Sequence, residues 1–412
     1  GIAGKFVRSA LDENGVLSKI EFTNSENFNF AYDVMDALAD KEPDQTALIY
    51  VSKDRTVEKK FTFQDIKDYS NRAANYFKSL GIKKGDKVML VLKRHYQYWF
   101  TMMALHKIGA IAIPATNILK ATDYQYRIEA AGVSAVVCTS DDGITASIDT
   151  FADDKLTKDD ILFVMFTSGT TEHPKMVAHN HLYPLGHYIT AKYWHCNKPG
   201  EVHLTVSDTG WGKALWGKLY GQWLCEACVF VFDFDTFSAD TIFKLIEKYH
   251  ISTFCAPPTL YRILIRMDMS KYNLSSLRYC TTAGEALNPE VFDVFKEKTG
   301  FTIYEGFGQT ETTLTIGNLE NTTPRPGSMG KASPMYDVRI MKADGTFAAP
   351  GETGEIVINI ADGAPDGLFM EYYRDPQRTA EVMHDGFYHT GDTAYQDEDG
   401  YFWFVGRVDD II

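Results

Sequence analysis

Short apolar strands alternate with amphipathic helices through most of the chain, and this alternation limits the fold more than any other feature. Thr62 and Asp65 have the spacing of a capping box, apolar residues then recur at helical spacing, and Gly81 ends the helix. An apolar strand, 87–92, follows at once. Repeated strand–helix units of this kind build parallel sheets with helices on both faces. We therefore expect an α/β fold.

The same signals predict further units along the chain. They indicate helices over 96–107, 122–132 and 289–300, and strands over 111–113, 135–138, 161–166, 252–255 and 277–280. Thr122 is expected to open the second of these helices. From residue 327 onward the pattern changes to short strands between Gly, Pro and Asp turns, which predicts a small antiparallel β-barrel.

Charge and cysteine content exclude several classes of protein. Lys and Arg number 41 against 55 Asp and Glu, so the net charge is −14, and broad contact with nucleic acid or anionic lipid is excluded. The longest apolar runs are far too short to span a membrane, and no secretory pattern opens the chain. Cys225 and Cys228 lie in an apolar run, 223–232, that predicts a buried strand, so we interpret them as core residues. We expect a soluble, cytoplasmic protein.

The segment from Thr167 to Lys175 carries the strongest chemical signal. It follows the strand 161–166 and contains four hydroxyl side chains, Gly169 and a terminal lysine, which could surround phosphate oxygens. The spacing does not fit the P-loop of nucleotide triphosphatases. A Ser/Thr-rich turn after a strand is the alternative, and chemistry alone does not separate the two.

Four later segments also have the composition of ligand sites. Gly284 lies in 283–287, directly after a predicted strand, and Glu311 lies in 304–312 with two glycines and an aromatic pair. Glu311 is a natural Mg²⁺ ligand beside phosphates, or else a solvated carboxylate at a helix start. Asp392 follows a tight turn and suits ribose hydroxyls, and Arg407 supplies a cation near the end of the chain.

Taken in this order, the segments resemble the motifs of the adenylate-forming superfamily, which comprises acyl-CoA synthetases, peptide-synthetase adenylation domains and luciferases. Within the loop, Glu172 and Met176 depart from the superfamily's glycines. The Pro-Lys-Met ending and the segment 206–211 resemble the medium-chain acyl-CoA synthetase branch. The resemblance implies two helix-covered, mostly parallel sheets packed together plus the small antiparallel barrel. It places α/β subdomains at about 30–325 and the barrel at about 326–406, all within one large N-terminal AMP-binding domain over 1–406.

The resemblance also implies a two-step reaction. A carboxylic acid and ATP give acyl-AMP and pyrophosphate, and a thiol, usually coenzyme A, then takes the acyl group. Residues 407–412 correspond to the start of a hinge, with Asp409 as its pivot, and we expect a small C-terminal domain, absent from this chain, to follow it.

Positions that match the superfamily's motifs take over its roles as expectations. Lys175, Thr310 and Glu311 are expected to be catalytic, with Glu311 holding Mg²⁺. The expected nucleotide-binding residues are Thr167, Ser168, Gly169, Thr170, Thr171, Lys175, Gly284, Glu285, Ala286, Glu305, Gly306, Phe307, Gln309, Thr310, Asp392 and Arg407.

The acyl pocket is expected to be lined by Trp211, Gly212, Lys213 and Gly308. Acetyl-CoA synthetases carry a tryptophan at the position of Gly308, and loss of that indole predicts room for an acid longer or more branched than acetate. Lys213 could either line the pocket or point outward to solvent. Cys255 is interpreted first as a core residue.

Four histidines after the loop, His179, His181, His187 and His195, lack the pattern of a metal site. The resemblance places His179 on a helix near the ATP site. The favoured interpretation is an AMP-forming acyl-CoA synthetase that uses ATP, Mg²⁺ and coenzyme A and could pair as a homodimer. The alternatives are an acyl–carrier-protein ligase, a stand-alone adenylation domain and a nucleotide-binding homologue without turnover.

Overall fold

A computed structural model describes residues 1–138, 156–167 and 173–410 of the chain. The strands are β1 (Val7–Leu11), β2 (Leu17–Phe22), β3 (Thr46–Val51), β4 (Glu58–Thr62), β5 (Lys87–Val91), β6 (Ile111–Pro114), β7 (Ala135–Cys138), β8 (Ile161–Phe166), β9 (Met176–Asn180), β10 (Val202–Thr205), β11 (Cys228–Phe232), β12 (Thr253–Cys255), β13 (Tyr279–Thr282), β14 (Ile303–Phe307), β15 (Ile316–Gly317), β16 (Lys331–Ala332), β17 (Val338–Met341), β18 (Gly354–Asn359), β19 (Glu371–Tyr372), β20 (Met383–His384), β21 (Phe387–Gln396) and β22 (Phe402–Arg407).

The α-helices are α1 (Ala37–Lys41), α2 (Phe63–Ser79), α3 (Gln97–Ile108), α4 (Ala121–Ala131), α5 (Tyr183–Gly186), α6 (Gly212–Gly217), α7 (Tyr220–Leu224), α8 (Ala239–Tyr249), α9 (Pro258–Leu264), α10 (Pro289–Thr299) and α11 (Pro376–Val382). Short 3₁₀ turns cover Ile2–Lys5, Met269–Lys271 and Val408–Asp410, and π-helical turns cover Ala31–Asp36 and Thr190–Trp194.

Two helix-covered sheets form the body of the molecule, as the alternation and the resemblance together predicted. The larger sheet has the order β16-β15-β14-β13-β12-β10-β11-β3-β4, and its strands from β14 to β3 are parallel. The smaller sheet has the order β19-β9-β8-β6-β5-β7, with β8, β6, β5 and β7 parallel. One buried apolar cluster joins side chains of both sheets with those of α2 and α3, so the two sheets share a core.

Local signals explain the helix ends. The Thr62 hydroxyl accepts a hydrogen bond from the Asp65 N–H at 3.1 Å, and the Asp65 carboxylate accepts one from the Thr62 N–H at 2.9 Å, which completes the predicted capping box of α2. Asn288 caps α10, whose first residue is Pro289. The predicted start at Thr122 is one residue too late. Asp123 accepts from the Lys120 N–H instead, and this bond moves the start of α4 to Ala121.

The predicted strand over 223–232 is partly wrong. Its first residues end helix α7, and Glu226 then adopts a left-handed turn with φ of 60° before β11 begins at Cys228. The fully apolar run hides this change, because a buried helix end and a buried strand have the same composition. Cys225 and Cys228 are buried free thiols, as expected for core residues.

The third sheet is antiparallel and carries the C-terminal third of the chain. Its strands follow the order β17-β18-β21-β20, and β22 pairs with β21. β19 lies in the range predicted for the barrel, yet it pairs with β9 and so extends the smaller α/β sheet. Over the described ranges, no helix is long and apolar enough to cross a membrane.

Candidate active site

Three of the segments that the sequence singled out lie at one edge of the larger sheet. β10, β12, β13 and β14 are parallel neighbours, so their carboxyl ends meet at that edge. Segment 206–211 follows β10, segment 283–287 follows β13 and segment 308–312 follows β14. Ligands bind in open α/β sheets at the carboxyl ends of strands, so this edge is a candidate ligand-binding site.

Three cavities lie along the edge. One of about 280 Å³ is lined by Gly284, Glu285, Ala286, Glu305, Gly306, Phe307, Gly308, Met329, Asp392 and Phe404. A cleft of about 810 Å³ is lined by residues that include Thr167, Lys175, Gln309, Thr310, Glu311, Arg407 and Asp409. A third, of about 630 Å³, is lined by residues that include Arg94, Trp211, Gly212, Lys213, Trp216 and Gly308. We call them the base pocket, the phosphate cleft and the acyl cavity.

The three cavities share residues. Gly284 lines all of them, and Gln309 and Thr310 line both the phosphate cleft and the acyl cavity. Gly308 lines the base pocket and the acyl cavity. The three cavities are therefore continuous at Gly284 and adjoin in pairs at the other shared residues.

Only the two ends of the predicted phosphate loop lie within the described residues. The Thr167 N–H donates to the Lys175 carbonyl at 2.9 Å and the Lys175 N–H donates to the Thr167 hydroxyl at 3.3 Å, so these two residues close the loop at its base. Ser168, Gly169, Thr170 and Thr171 lie outside the described residues. Lys175 Nζ lies 3.8 Å from Glu311 Oε2, and both side chains line the phosphate cleft.

Glu305 is a buried carboxyl in the base pocket. Its Oε1 accepts a hydrogen bond from the Leu287 N–H at 2.6 Å, whereas its Oε2 is buried with no protein partner among the described residues. Burial raises the pKa of Glu305 to about 8, so the group is mostly protonated at neutral pH. A protonated carboxyl can both donate to and accept from a ligand.

Asp392 joins the base pocket to the antiparallel sheet. It lies opposite Arg407 in the pairing of β21 with β22, with its Oδ1 3.1 Å from Arg407 Nη1. Its Oδ2 accepts from the Gln309 side-chain amide at 2.6 Å, and Tyr388 donates to that amide's oxygen at 2.6 Å. Burial raises the pKa of Asp392, and the Arg407 charge opposes this rise.

Glu311 fits the role of a magnesium ligand. It supplies a hard carboxylate oxygen at the phosphate cleft, and Mg²⁺ in nucleotide sites takes one or two protein carboxylates with phosphate oxygens and water completing its shell. Only 8% of the Glu311 side chain is exposed, so the carboxylate has little freedom to turn away from the cleft. Across the described ranges, no cluster of three or more metal-ligating side chains is present.

The space beside Gly308 is filled, which changes the expectation for the acyl cavity. A Cβ added at Gly308 would lie 2.1 Å from the Trp216 ring and 2.6 Å from the Thr313 carbonyl oxygen. The indole of Trp216, from α6, thus occupies the space that a side chain at 308 would need. The removal of a tryptophan at 308 therefore does not by itself open that space.

Lys213 points into the site rather than outward. A Cβ added at Gly284, where φ is +109°, would lie 2.2 Å from Lys213 Nζ, so only glycine leaves room for this ammonium group. Burial lowers the pKa of Lys213. Beyond Trp216 lies a small cavity of about 20 Å³ lined by Lys213, Cys255 and Trp194, among others. Cys255 is buried, and burial raises the pKa of its thiol.

The prediction that His179 lies on a helix is wrong, because it lies on strand β9. It still contacts the site: its Nε2 donates to the Thr310 carbonyl at 2.7 Å, and its ring is fully buried. Sequence reasoning did not find Arg94, Trp216 or Tyr372. Arg94 was detectable as a cation directly after a predicted strand, whereas nothing local marks the other two.

Comparisons with known proteins agree with this geometry. A model of the family described as AMP-binding enzyme matches residues 35–373. The mitochondrial acyl-coenzyme A synthetase ACSM5 of Rattus norvegicus is 38% identical over 94% of this chain and 74% of its own. ACSM3 of Homo sapiens, also named mitochondrial, is 34% identical over 94% of this chain and 73% of its own.

Solved structures give the same fold. The anthranilate CoA ligase AuaEII, in complex with anthranoyl-AMP, superposes with a TM-score of 0.82 at 25% identity, covering 94% of this chain and 79% of its own. An acyl-CoA synthetase of Brucella canis has a TM-score of 0.80 at 25% identity, covering 90% of this chain and 74% of its own.

Proposed function

The chain belongs to the family of AMP-binding enzymes and is an AMP-forming acyl-CoA synthetase, and on this premise we propose that it activates a medium-chain or branched carboxylic acid bound in the acyl cavity. One observation carries the proposal. The base pocket, the phosphate cleft and the acyl cavity converge on Gly284, Gln309 and Thr310. An acid and the α-phosphate of ATP can therefore meet there.

We assign the parts of ATP to the cavities by chemistry. The base pocket, with its aromatic Phe307 and its protonated Glu305, suits adenine. We assign the ribose hydroxyls to Asp392, which lines the base pocket, and to Arg407, which lines the phosphate cleft. The phosphate cleft, which Lys175 and Thr167 line, suits the β- and γ-phosphates.

In the first half-reaction the substrate carboxylate attacks the α-phosphorus, and the bond from that phosphorus to pyrophosphate breaks. In the second, the coenzyme A thiol attacks the acyl carbonyl and AMP leaves. Such transfer depends on positioning and on neutralising negative charge. We assign the positive charge to Lys175, and we assign Thr310 to the meeting point of the acid and the phosphates because it lines both the acyl cavity and the phosphate cleft. A magnesium ion held by Glu311 would supply further neutralisation of the phosphates.

The experiment that tests this function is ATP–pyrophosphate exchange by the purified protein across straight, branched and aromatic acids of increasing length. We expect exchange with one group of acids longer or more branched than acetate. Absence of exchange with every acid, together with tight ATP binding, would instead support a nucleotide-binding homologue without turnover. Transfer to a carrier protein but not to coenzyme A would support the carrier-protein ligase.

Trp216→Ala is expected to lengthen the preferred acid. The substitution joins the acyl cavity to the small cavity behind the indole, and each methylene newly buried there adds about 0.8 kcal/mol, or about a fourfold gain in kcat/KM. The measurement is kcat/KM for a series of straight-chain acids. Trp403→Ala, which removes an indole from the antiparallel sheet, is the control and should leave the preference unchanged. An unshifted preference in Trp216→Ala would show that the acid lies elsewhere.

Location and assembly stay predictions. The cytoplasm is the location that we propose, whereas the relatives compared above carry the word mitochondrial in their names. Imaging of the tagged protein decides between the two compartments. A homodimer is tested by light scattering during gel filtration.

A further inference from the structure

The last two strands of the smaller sheet, β19 and β9, lie against the loop that carries Thr310 and Glu311. β9 and β19 pair with Glu371 opposite Ala178 and with Tyr372 opposite Val177. Tyr372, on β19, donates its hydroxyl to Glu311 Oε2 at 2.8 Å. The backbone of the same segment holds the loop as well, since the Phe369 N–H donates to the Glu311 carbonyl at 2.8 Å.

The same pair of strands also positions Lys175, the residue that faces Glu311. Lys175 directly precedes β9, and its Nζ lies 5.2 Å from the centre of the Tyr372 ring. The same Glu311 oxygen that accepts from Tyr372 is 3.8 Å from Lys175 Nζ, which is longer than a direct hydrogen bond. Tyr372 thus contacts both Glu311 and Lys175.

This arrangement has a chemical consequence. A carboxylate and an ammonium group with nothing to hold them apart approach to about 2.8 Å and neutralise each other. Lys175 would then offer less charge to phosphate, and Glu311 less to a cation. The hydroxyl of Tyr372, which is 1% exposed, satisfies the Glu311 oxygen from the protein side and fixes its direction.

We propose that Tyr372 is a positioning residue that holds the Glu311 carboxylate in place for the magnesium ion of MgATP and keeps it from closing on Lys175. The inference rests on the proposed function, in which Glu311 binds magnesium. In this proposal Tyr372 acts through its hydrogen bond to Glu311. Its effect is therefore read as a change in how strongly magnesium promotes ATP binding.

Tyr372→Phe tests the proposal because it removes the hydroxyl and keeps the ring. The dissociation constant of ATP is measured by calorimetry with saturating magnesium and again with EDTA, and the ratio of the two is the magnesium enhancement. We expect the magnesium enhancement of the variant to be about tenfold smaller than that of the wild-type protein, which is the effect of one hydrogen bond to a charged group. Tyr336→Phe is the matched control. It removes a buried hydroxyl that bonds Thr313 of the same loop, and it should keep the enhancement.

The outcomes separate the inference from its premise. A wild-type protein with no magnesium enhancement would overturn both the assignment of Glu311 and the role of Tyr372. A Tyr372→Phe protein with wild-type enhancement would overturn the role of Tyr372 alone. Equal loss in Tyr336→Phe would also overturn it, because general loosening of the loop would then be the cause.

A second pair of variants covers the case in which Tyr372→Phe does not fold. Without the Tyr372 hydroxyl, the buried Glu311 carboxylate lacks a hydrogen-bond partner, and Glu311→Gln removes that buried charge. The double variant, Glu311→Gln with Tyr372→Phe, is therefore compared with the single variant Glu311→Gln. If Tyr372 acts only through the carboxylate, the two proteins bind ATP equally under both conditions. A difference of more than about threefold would overturn the proposal.

Discussion

Below pH 6.5 the protein is expected to lose stability steeply, because buried neutral histidines must take up protons when the chain unfolds. Among the described residues, six histidines are nearly fully buried: His106, His179, His181, His187, His195 and His203. Burial lowers the pKa of His179 and His195 to about 3 and that of His181 to about 4, and it lowers the pKa of the others well below the ordinary value.

The direction follows from proton linkage. The unfolded chain protonates these histidines below about pH 6.5 while the folded chain does not, so their stabilising effect is complete above that pH and falls as the pH decreases. Glu305 acts in the opposite sense, since its pKa near 8 leaves it protonated in the folded state but ionised in the unfolded one above about pH 4.3. On unfolding, the six histidines take up six protons and Glu305 releases one. This net uptake of five protons gives the free energy of unfolding a slope on the order of 7 kcal/mol per pH unit. With a typical stability of about 5–15 kcal/mol, unfolding is expected about one to two pH units below 6.5.

Urea unfolding at a series of pH values measures this slope. His181→Gln should reduce it by about 1.4 kcal/mol per pH unit, the value of one proton. Met103→Ala is the control, since it removes buried volume without a titrating group and should lower the unfolding free energy equally at every pH. A nearly flat stability between pH 7 and pH 5.5 would contradict the prediction.

Lys175→Ala is expected to abolish most adenylation while leaving the fold intact. The Lys175 side chain is 27% exposed and pairs loosely with Glu311 at 3.8 Å, so its removal should change the free energy of unfolding by at most about 1 kcal/mol. Removal of a cation that stabilises the negative charge developing on the phosphates in the transition state lowers kcat about 10²–10³-fold. The measurements are ATP–pyrophosphate exchange, ATP affinity and thermal melting.

Lys84→Ala is a suitable comparison. Lys84 forms a similarly loose ion pair, 3.4 Å from Asp160, and does not line the phosphate cleft. Its replacement should leave exchange unchanged. A large fall in the melting temperature of Lys175→Ala would mean that the lysine is structural, and wild-type exchange would remove it from the site.

Local signals predicted those parts of the fold that depend on neighbouring residues. The capping box at Thr62 and the Asn288–Pro289 start lie where expected, because both depend on contacts within one turn. The start of α4 moved because Asp123 competes with Thr122 for the helix end, and local rules do not rank the two. His179 lies on β9 because the chain after Lys175 pairs antiparallel with β8, and a pairing of this kind is set by tertiary structure.

The candidate site divides in the same way. Gly284 and Gln309 line cavities at one edge of the larger sheet because they follow parallel strands whose ends must meet, whereas Asp392 lies within β21 of the antiparallel sheet. Trp216 and Tyr372 escaped detection because their contacts, with Gly308 and Glu311, join segments far apart in the chain. No periodicity or spacing within either segment marks such a pair.

The packing of Trp216 against Gly308 also constrains how such a site changes during evolution. A side chain added at 308 while the indole remains collides with it at 2.1 Å, and loss of the indole alone leaves a hollow in the wall of the cavity. Positions 216 and 308 are therefore expected to change together, with a large side chain at one and a small side chain at the other. A substitution at either position alone gives an intermediate that is either crowded or underpacked. Divergence of acid preference by this route is expected to require a permissive change elsewhere, which makes the order of substitutions matter as much as their identity.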